Sequence, residues 1–443
     1  MNMRTVGVTT EYNPFHNGHL HQLRQIRDAF GDDTAVIAIM SGDWTQRGEP
    51  ALLDKWRRTK SALASGVSLV IELPTIFATG SAGYFASGAV RALSATGVCN
   101  HLCFGSEAGK IDELRILASL ILAEPTQLSE LLQSRLRLGK RGGAAWSSTI
   151  GEYLTRHGQV EGMNADRARE ILTGSNNWLG IEYLKAIESE LSGKMKATTF
   201  LREGDDYASP TIGDAPADGV RKPSANAIRE FSRGSQSFGR TADFIRMLHE
   251  CVPPSSAAQI LYARRVGELL IPGSAGLAAY SKIRSTSADE LTRFDGCDPD
   301  LANRLKQTVD NLRLAQRKVE PSDFWDEIVN RTSGRNFSRA KVQRVLTAII
   351  LGIHSSDRAD ALKNGPEYLR ILGFDKKGRY LLKLMRKHAR LPVISRVSDF
   401  LEYSDRGNSF TTQHLLDNRA SDIRSALCGN NPANDFDTNV VIL

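Results

Sequence analysis

Glu11-Tyr12-Asn13-Pro14-Phe15-His16-Asn17-Gly18-His19-Leu20 is the stretch that decides the fold of this chain. An apolar run, Thr5-Val6-Gly7-Val8, comes just before it and has the character of a strand. After it, Leu20, Leu23, Ile26 and Phe30 recur at helical spacing. Pro14 ends the strand register, and Asn17-Gly18 supplies a turn and a helix start. Two imidazoles therefore stand at a helix N-terminus just past the end of a strand. Unpaired N–H groups and the positive end of the helix dipole favour phosphate there. Histidines three apart carry little information alone. The order strand, turn, glycine, helix gives them weight, because open α/β sheets bind ligands at that place. Gly18 lets backbone approach an anion where a side chain would obstruct it.

Working outward, strands are expected at Thr5–Thr9, Thr34–Met40, Ser68–Glu72 and His101–Phe104, with helices at Leu20–Phe30, Ala51–Ser65 and Ser81–Ala95 between them. Such alternation predicts an α/β fold with a parallel sheet and crossover helices. The continuous apolar run Leu69-Val70-Ile71 suits a strand covered on both faces. Residues from Lys110 to about Glu170 have helical patterning, broken at Lys140-Arg141-Gly142-Gly143, and are expected to form an insertion packed on the sheet. Asn176 and Asn177 open a further amphipathic helix, and Ala197 to Leu201 form a late strand ending at Arg202. Residues 204–223, rich in Gly, Pro, Asp and Ala, have the composition of a mobile, functional loop. Ser224 is placed to start the next helix. Past Ser235 the pattern is mainly helical, and the terminal Val440-Val441-Ile442-Leu443 either adds a strand or frays. The division expected is 1–235 for the sheet domain, with its helical insertion at about 110–170, and 236–443 for a mainly helical, basic region.

With 443 residues, 41% hydrophobic and 24% charged, the composition is that of a globular protein of two or three domains. No stretch approaches the roughly 20 apolar residues of a membrane helix. A strand and the histidine loop occupy the place of a signal peptide, so the expectation is a cytoplasmic protein with no membrane partner. The five cysteines are scattered and odd in number. Cys99 and Cys103 flank His101, but no second ligand pair follows at zinc spacing, so no metal site is expected. The net charge is +7, and its location matters more than its size. Arg331, Arg335, Arg339, Lys341 and Arg344 form one segment without acids; Lys376, Lys377, Arg379, Lys383, Arg386, Lys387, Arg390 and Arg396 form another. Two clusters of one sign in the same half of the chain suit a phosphate backbone, as against two solvated helix faces.

His16-Asn17-Gly18-His19 resembles the His-x-Gly-His signature of the nucleotidyltransferase superfamily, which shares a Rossmann-like fold with class I aminoacyl-tRNA synthetases. Further stretches extend the likeness: Ser41 to Ala51, Lys55-Trp56, Val70-Ile71-Glu72-Leu73-Pro74 and Phe104-Gly105-Ser106-Glu107. Together they resemble the bacterial tRNA(Met) cytidine acetate ligase family. The resemblance implies a Rossmann-like nucleotidyltransferase domain followed by the helical region. It implies an enzyme that activates acetate with ATP and acetylates N4 of the wobble cytidine of elongator tRNA(Met). It further implies that the loop of Thr9, Thr10, Glu11, Tyr12, Asn13, Pro14, Phe15, His16, Asn17, Gly18, His19, Leu20, His21 and Gln22 binds ATP. Gly105, Asn176 or Asn177, and Arg202 are implied as further nucleotide contacts.

Ser224 to Arg229 resembles the second nucleotidyltransferase motif, with Asn226 where threonine is usual. Ser224 would meet the triphosphate, and Arg229 with Mg²⁺ would neutralise the leaving pyrophosphate. His16 and His19 would stabilise charge on the α-phosphate. Gln46, Arg47 and Lys55, in and after the second strand-to-helix connection, are candidates to orient acetate or the cytidine. Arg335, Arg339, Lys341, Arg344, Lys383, Arg386 and Lys387 would grip tRNA phosphates, and Trp44 and Trp56 are stacking candidates. Two other functions fit the same loop: a small-molecule adenylyltransferase, and a non-catalytic RNA-binding protein on a nucleotide fold.

Overall fold

In a computed structural model of the chain, the described residues are 3–137, 142–203, 221–234, 241–270, 273–314, 320, 323–432, 435 and 438–443. Most of the loop expected at 204–223 lies outside them. The strands are β1 (Thr5–Thr10), β2 (Ala35–Ser41), β3 (Leu69–Leu73), β4 (His101–Ser106), β5 (Lys196–Leu201), β6 (Leu369–Phe374), β7 (Val393–Ile394) and β8 (Val441–Ile442). They form one sheet in the order β5-β4-β1-β2-β3-β6-β7, with β8 beside β6. The first five are mutually parallel, as the alternation of strands and helices requires.

Alternation along β2 explains why the sheet is buried on both faces. Ala35, Ile37 and Ile39 face one apolar core, and Val36, Ala38 and Met40 face a second. The second core takes Leu23 and Ile26 from the helix Asn17–Phe30, and Trp56, Ala62 and Leu63 from the helix Lys55–Ala64. The first takes the helices Ala82–Ala95 and Ser175–Leu191, and beyond them the C-terminal helices around Trp325 and Val345. The insertion between β4 and β5 is four helices, Ile111–Ala123, Thr126–Arg137, Gly142–His157 and Ala165–Thr173, followed by Ser175–Leu191.

The sheet does not stop at residue 235. β6 pairs antiparallel with β3, matching Leu69 with Phe374 and Glu72 with Arg370. β8 settles the alternatives at the chain's end in favour of a strand, pairing parallel with β6 through Gly373–Val441 and Phe374–Ile442. The pattern missed β6 because Arg370 and Gly373 interrupt its apolar run, and because Arg370 is buried, its guanidinium lying over the Trp56 and Phe400 rings, rather than exposed.

Candidate functional site

The cleft lies at the carboxyl ends of the parallel strands, where the backbone leaves β1, β4 and β5. Thr9, Thr10, Glu11, Tyr12, Asn13, His16, Gly18, His19, His21 and Gln22 line it, together with Gly105, Asn176, Arg202 and Gln46. The helix Asn17–Phe30 begins here with His16 as its N-cap. Gly18 N–H donates to His16 Nδ1 at 3.0 Å, and His16 N–H donates to His19 Nδ1 at 3.2 Å. A side chain at Gly18 would stand 2.8 Å from His16 Cε1, so the capping ring requires glycine there.

These two bonds fix the tautomers. An Nδ1 that accepts carries no proton, so each neutral ring holds its one N–H at Nε2. Neither Nε2 has a partner among the described residues. The rings are 3.8 Å apart between centroids. Burial, with the charges of Arg202 and Arg229, holds His16 down to about 3. Burial, with His16 and Arg202, holds His19 well below the usual imidazole range. The site presents two neutral donors.

The loop is clamped from below. Arg58, wholly buried, donates to the carbonyls of Glu11 at 2.6 Å, Ser41 at 3.0 Å and Leu53 at 3.0 Å, and also to Gly42. Leu52 N–H donates to Asn13 Oδ1 at 2.8 Å, and Gln46 N–H to Glu11 Oε1 at 2.7 Å. Arg229 is buried beneath the same loop and donates from Nη1 to the Asn13 carbonyl at 3.0 Å. Ser224 caps the helix Ala225–Gly234 by accepting from Ala227 N–H at 2.9 Å. Neither Ser224 nor Arg229 lines the cleft. Pro14, Phe15, Asn17 and Leu20 also face away from it; Asn17 Nδ2 instead donates to the Arg221 and Glu250 carbonyls at 3.0 and 2.9 Å.

Asn176 and Asn177 separate in role. Glu107 caps their helix, accepting from Asn176 N–H at 3.1 Å and Asn177 N–H at 2.7 Å. Asn177 is buried, accepting from Ala108 N–H and donating to the Ile171 carbonyl. Asn176 faces the cleft and accepts from Arg202 Nη1 at 2.9 Å.

Gln46 and Arg47 line a second, larger chamber of about 1040 Å³ that opens beside the cleft. Lys55 is brought to neither. It is wholly buried, with Nζ donating to Glu72 Oε1 and Oε2 at 2.9 Å and to Asp435 Oδ2 at 2.6 Å. Those carboxylates hold its ammonium charged and explain a buried lysine better than a substrate does. Trp44 is buried too, its Nε1 donating to the Ala420 carbonyl at 3.0 Å, and Trp56 packs in the second core. Neither is free to stack on a base.

Of the first basic segment, only Arg344 reaches the chamber. Arg331 pairs with Glu327, Arg339 with Asp326 and Lys341 with Asp298, acids outside the segment itself; Arg335 is exposed. Lys383, Arg386 and Lys387 are exposed on the helix Lys376–His388, at the opposite end of the sheet from the cleft. Lys377 Nζ donates to the Asp32 carbonyl before β2, Asp375 N–H to Ser68 before β3, and Arg390 N–H to Ala95 before β4. All three contacts are at the amino ends of strands. The cleft's remaining walls escaped sequence reading. Gln25 was detectable, since Gly18, Gln22 and Gln25 share one helix face; Phe104 and Tyr183 gave no signal distinct from core aromatics.

A parallel sheet with a helix start and paired imidazoles at its carboxyl edge defines a nucleotide-handling α/β protein. Comparison gives the class: residues 3–438 match the model of the HIGH Nucleotidyl Transferase family. A tRNA(Met) cytidine acetate ligase of Acetivibrio thermocellus is 33% identical over 100% of both chains. Another, of Syntrophotalea carbinolica, is 37% identical over 89% of this chain and 85% of that one. The crystal structure of Thermotoga maritima TmcAL bound with alpha-thio ATP superposes with a TM-score of 0.84, at 28% identity and full coverage of both chains. The chain belongs to the tRNA(Met) cytidine acetate ligase family.

Proposed function

We infer that this chain is an ATP-dependent ligase that forms acetyl-adenylate and transfers the acetyl group to N4 of the wobble cytidine of elongator tRNA(Met). The observation that carries the reading is the pair of neutral imidazoles, each with its Nε2 proton unspent, at the mouth of a phosphate-favouring helix. The fit to ATP rests on the donor set: the loop Thr9–Gln22, Gly105 at the end of β4, and the linked Asn176 and Arg202. In this reading an acetate oxygen attacks the α-phosphorus and pyrophosphate leaves. His16 and His19 donate to the α-phosphate oxygens as charge grows there, each donor contributing about 3 kcal/mol. Arg229 holds the Asn13 carbonyl and adds positive potential from below, a positioning role. Cytosine N4 then attacks the acetyl carbon, the bond to the phosphate oxygen breaks, N4 loses a proton and AMP departs.

Among the described residues no group of three or more His, Cys, Asp or Glu could hold a metal ion. Magnesium would therefore enter on the nucleotide phosphates, where it neutralises the leaving group, rather than in a protein cage. Residues 1–235 carry the activation chemistry, and the tRNA is held by the part of residues 236–443 that lies on the cleft side of the sheet. Among the described residues no helix is long and apolar enough to cross a membrane.

Acetate-dependent exchange of labelled pyrophosphate into ATP tests the reading, followed by mass analysis of nucleosides from tRNA incubated with the chain. The ligase shows exchange and N4-acetylcytidine. A cofactor adenylyltransferase would demand another acceptor, and an RNA-binding protein would show neither.

A further inference from the structure

The second chamber shares Gln46, Asn176 and Leu179 with the cleft. A reactive group formed in one space is thus within reach of a molecule held in the other. Its size is at the upper end of ligand pockets, room for a nucleotide with flanking phosphate. Four arginines line it, Arg47 from the loop after β2 and Arg135, Arg169 and Arg344 from three helices. Arg135 is paired with Glu152, and Arg169 with Asp166 at 2.7 Å. Arg344 differs. It is half-buried, and its side chain makes no hydrogen bond or ion pair with any described residue.

Its surroundings disfavour its charge. Burial and the like charge of Arg358 depress its pKa, and the one opposing acid, Asp295, is already bonded to Arg358 Nε at 3.0 Å. A desolvated guanidinium without a counter-charge is costly unless an anion arrives. Its position is nonetheless fixed tightly. Gly48 lies so close to the helix Arg339–Leu351 that a side chain there would stand 2.4 Å from Arg344 N. Gln343 Nε2 also donates to Glu49 Oε1 at 2.6 Å. The loop that gives the cleft Gln46 is thus locked to the helix that gives the chamber Arg344. Trp178 is half-exposed on the chamber wall, unlike the buried Trp44 and Trp56.

Resting on the ligase reading, we propose that this chamber receives the unstacked acceptor nucleotide of single-stranded RNA, with Trp178 stacking on a base and Arg344 binding a backbone phosphate. An indole face accepts any base, and a guanidinium pairs bidentately with phosphate. The basic helix at the far end of the sheet takes no part.

The test is fluorescence anisotropy with the anticodon stem–loop of tRNA(Met), titrated at several salt concentrations. Arg344→Gln should weaken binding about tenfold and flatten the salt slope by about 0.7–0.9, the loss of one phosphate contact. Arg344→Lys should restore the slope, which separates lost charge from lost fold. Trp178→Ala should weaken binding roughly tenfold with the slope intact. Lys383→Gln combined with Lys387→Gln should bind as the wild type does. Wild-type affinity and slope in both Arg344→Gln and Trp178→Ala would overturn the proposal, as would collapse of binding in the far-end variant alone. Pyrophosphate exchange by the wild-type chain is scored separately. Its failure would sink the ligase reading without touching the binding result.

Discussion

A histidine whose Nδ1 already accepts a hydrogen bond has one proton to give, and it is on Nε2. His16 and His19 both stand in that state, His16 buried and His19 partly so, their rings tilted at 32° to each other. Their pKa values lie below that of a free imidazole, so the sign of the pH effect follows. As pH falls below 6.5 the unfolded chain takes up protons that the folded rings refuse, and stability is lost progressively toward about 3. Above pH 7 the pair adds no pH dependence. In the nucleotide-free chain, neither ring should titrate between pH 5 and 8 in two-dimensional NMR of the imidazole protons, and both should show the Nε2–H nitrogen pattern; a midpoint near 6.5 for either would refute the tautomer argument. His19→Ala should lower acetate-dependent exchange by roughly a hundredfold or more, with stem–loop affinity retained. Loss of both together would mean the ring is structural.

The element that matters most is the loop between β1 and its helix, and it is held by a residue outside it. Arg58 ties four carbonyls of three segments together from the helix Lys55–Ala64. Lysine concentrates its donors at one point and cannot span them. Arg58→Lys should cost about 2–4 kcal/mol in urea unfolding and reduce exchange more than it reduces RNA binding. An unchanged midpoint would show the clamp to be dispensable.

Legibility divides along the same line. Strand, turn and helix were readable from residues 5 to 30 because each signal is local: an apolar run, Pro14, Gly18, then helical spacing. Ser224 was readable as a helix start for the same reason. Lys55 was not, because its partners Glu72 and Asp435 are remote in sequence, and a lysine beside a glycine-rich loop gives no hint of burial. Trp44 and Trp56 failed likewise: an indole's patterning is the same whether it stacks on a base or fills a core. The acid-free segment around Arg339 hid its counter-charges, which come from neighbouring elements.

For the molecule as a whole, the buried polar network at β3 joins the two ends of the chain. Lys55 meets Glu72 from β3 and Asp435 from the tail. Asp43 accepts from Lys55 N–H at 2.8 Å and from Ser421 Oγ at 2.6 Å. Asp417 accepts from Thr75 N–H at 2.7 Å and from Tyr368 Oη at 2.5 Å. Lys55→Met strands two carboxylates in the core and should cost about 3–5 kcal/mol. Adding Glu72→Gln to it should recover part of that loss, a coupling readable from a double-mutant cycle in urea. Strict additivity would show the two side chains to be independent.

The antiparallel seat of β6 against β3 has a bearing on biogenesis. β3 emerges from the ribosome early, while its neighbour must wait for roughly 300 further residues to be translated. Until then the hydrogen-bonding edge of Leu69, Val70 and Ile71 is open to any passing strand, a standing invitation to aggregate that holdase chaperones are suited to cover. High expression brings many such open-edged chains together at once, so overproduction should favour inclusion bodies at high expression levels and soluble protein when a chaperone is supplied.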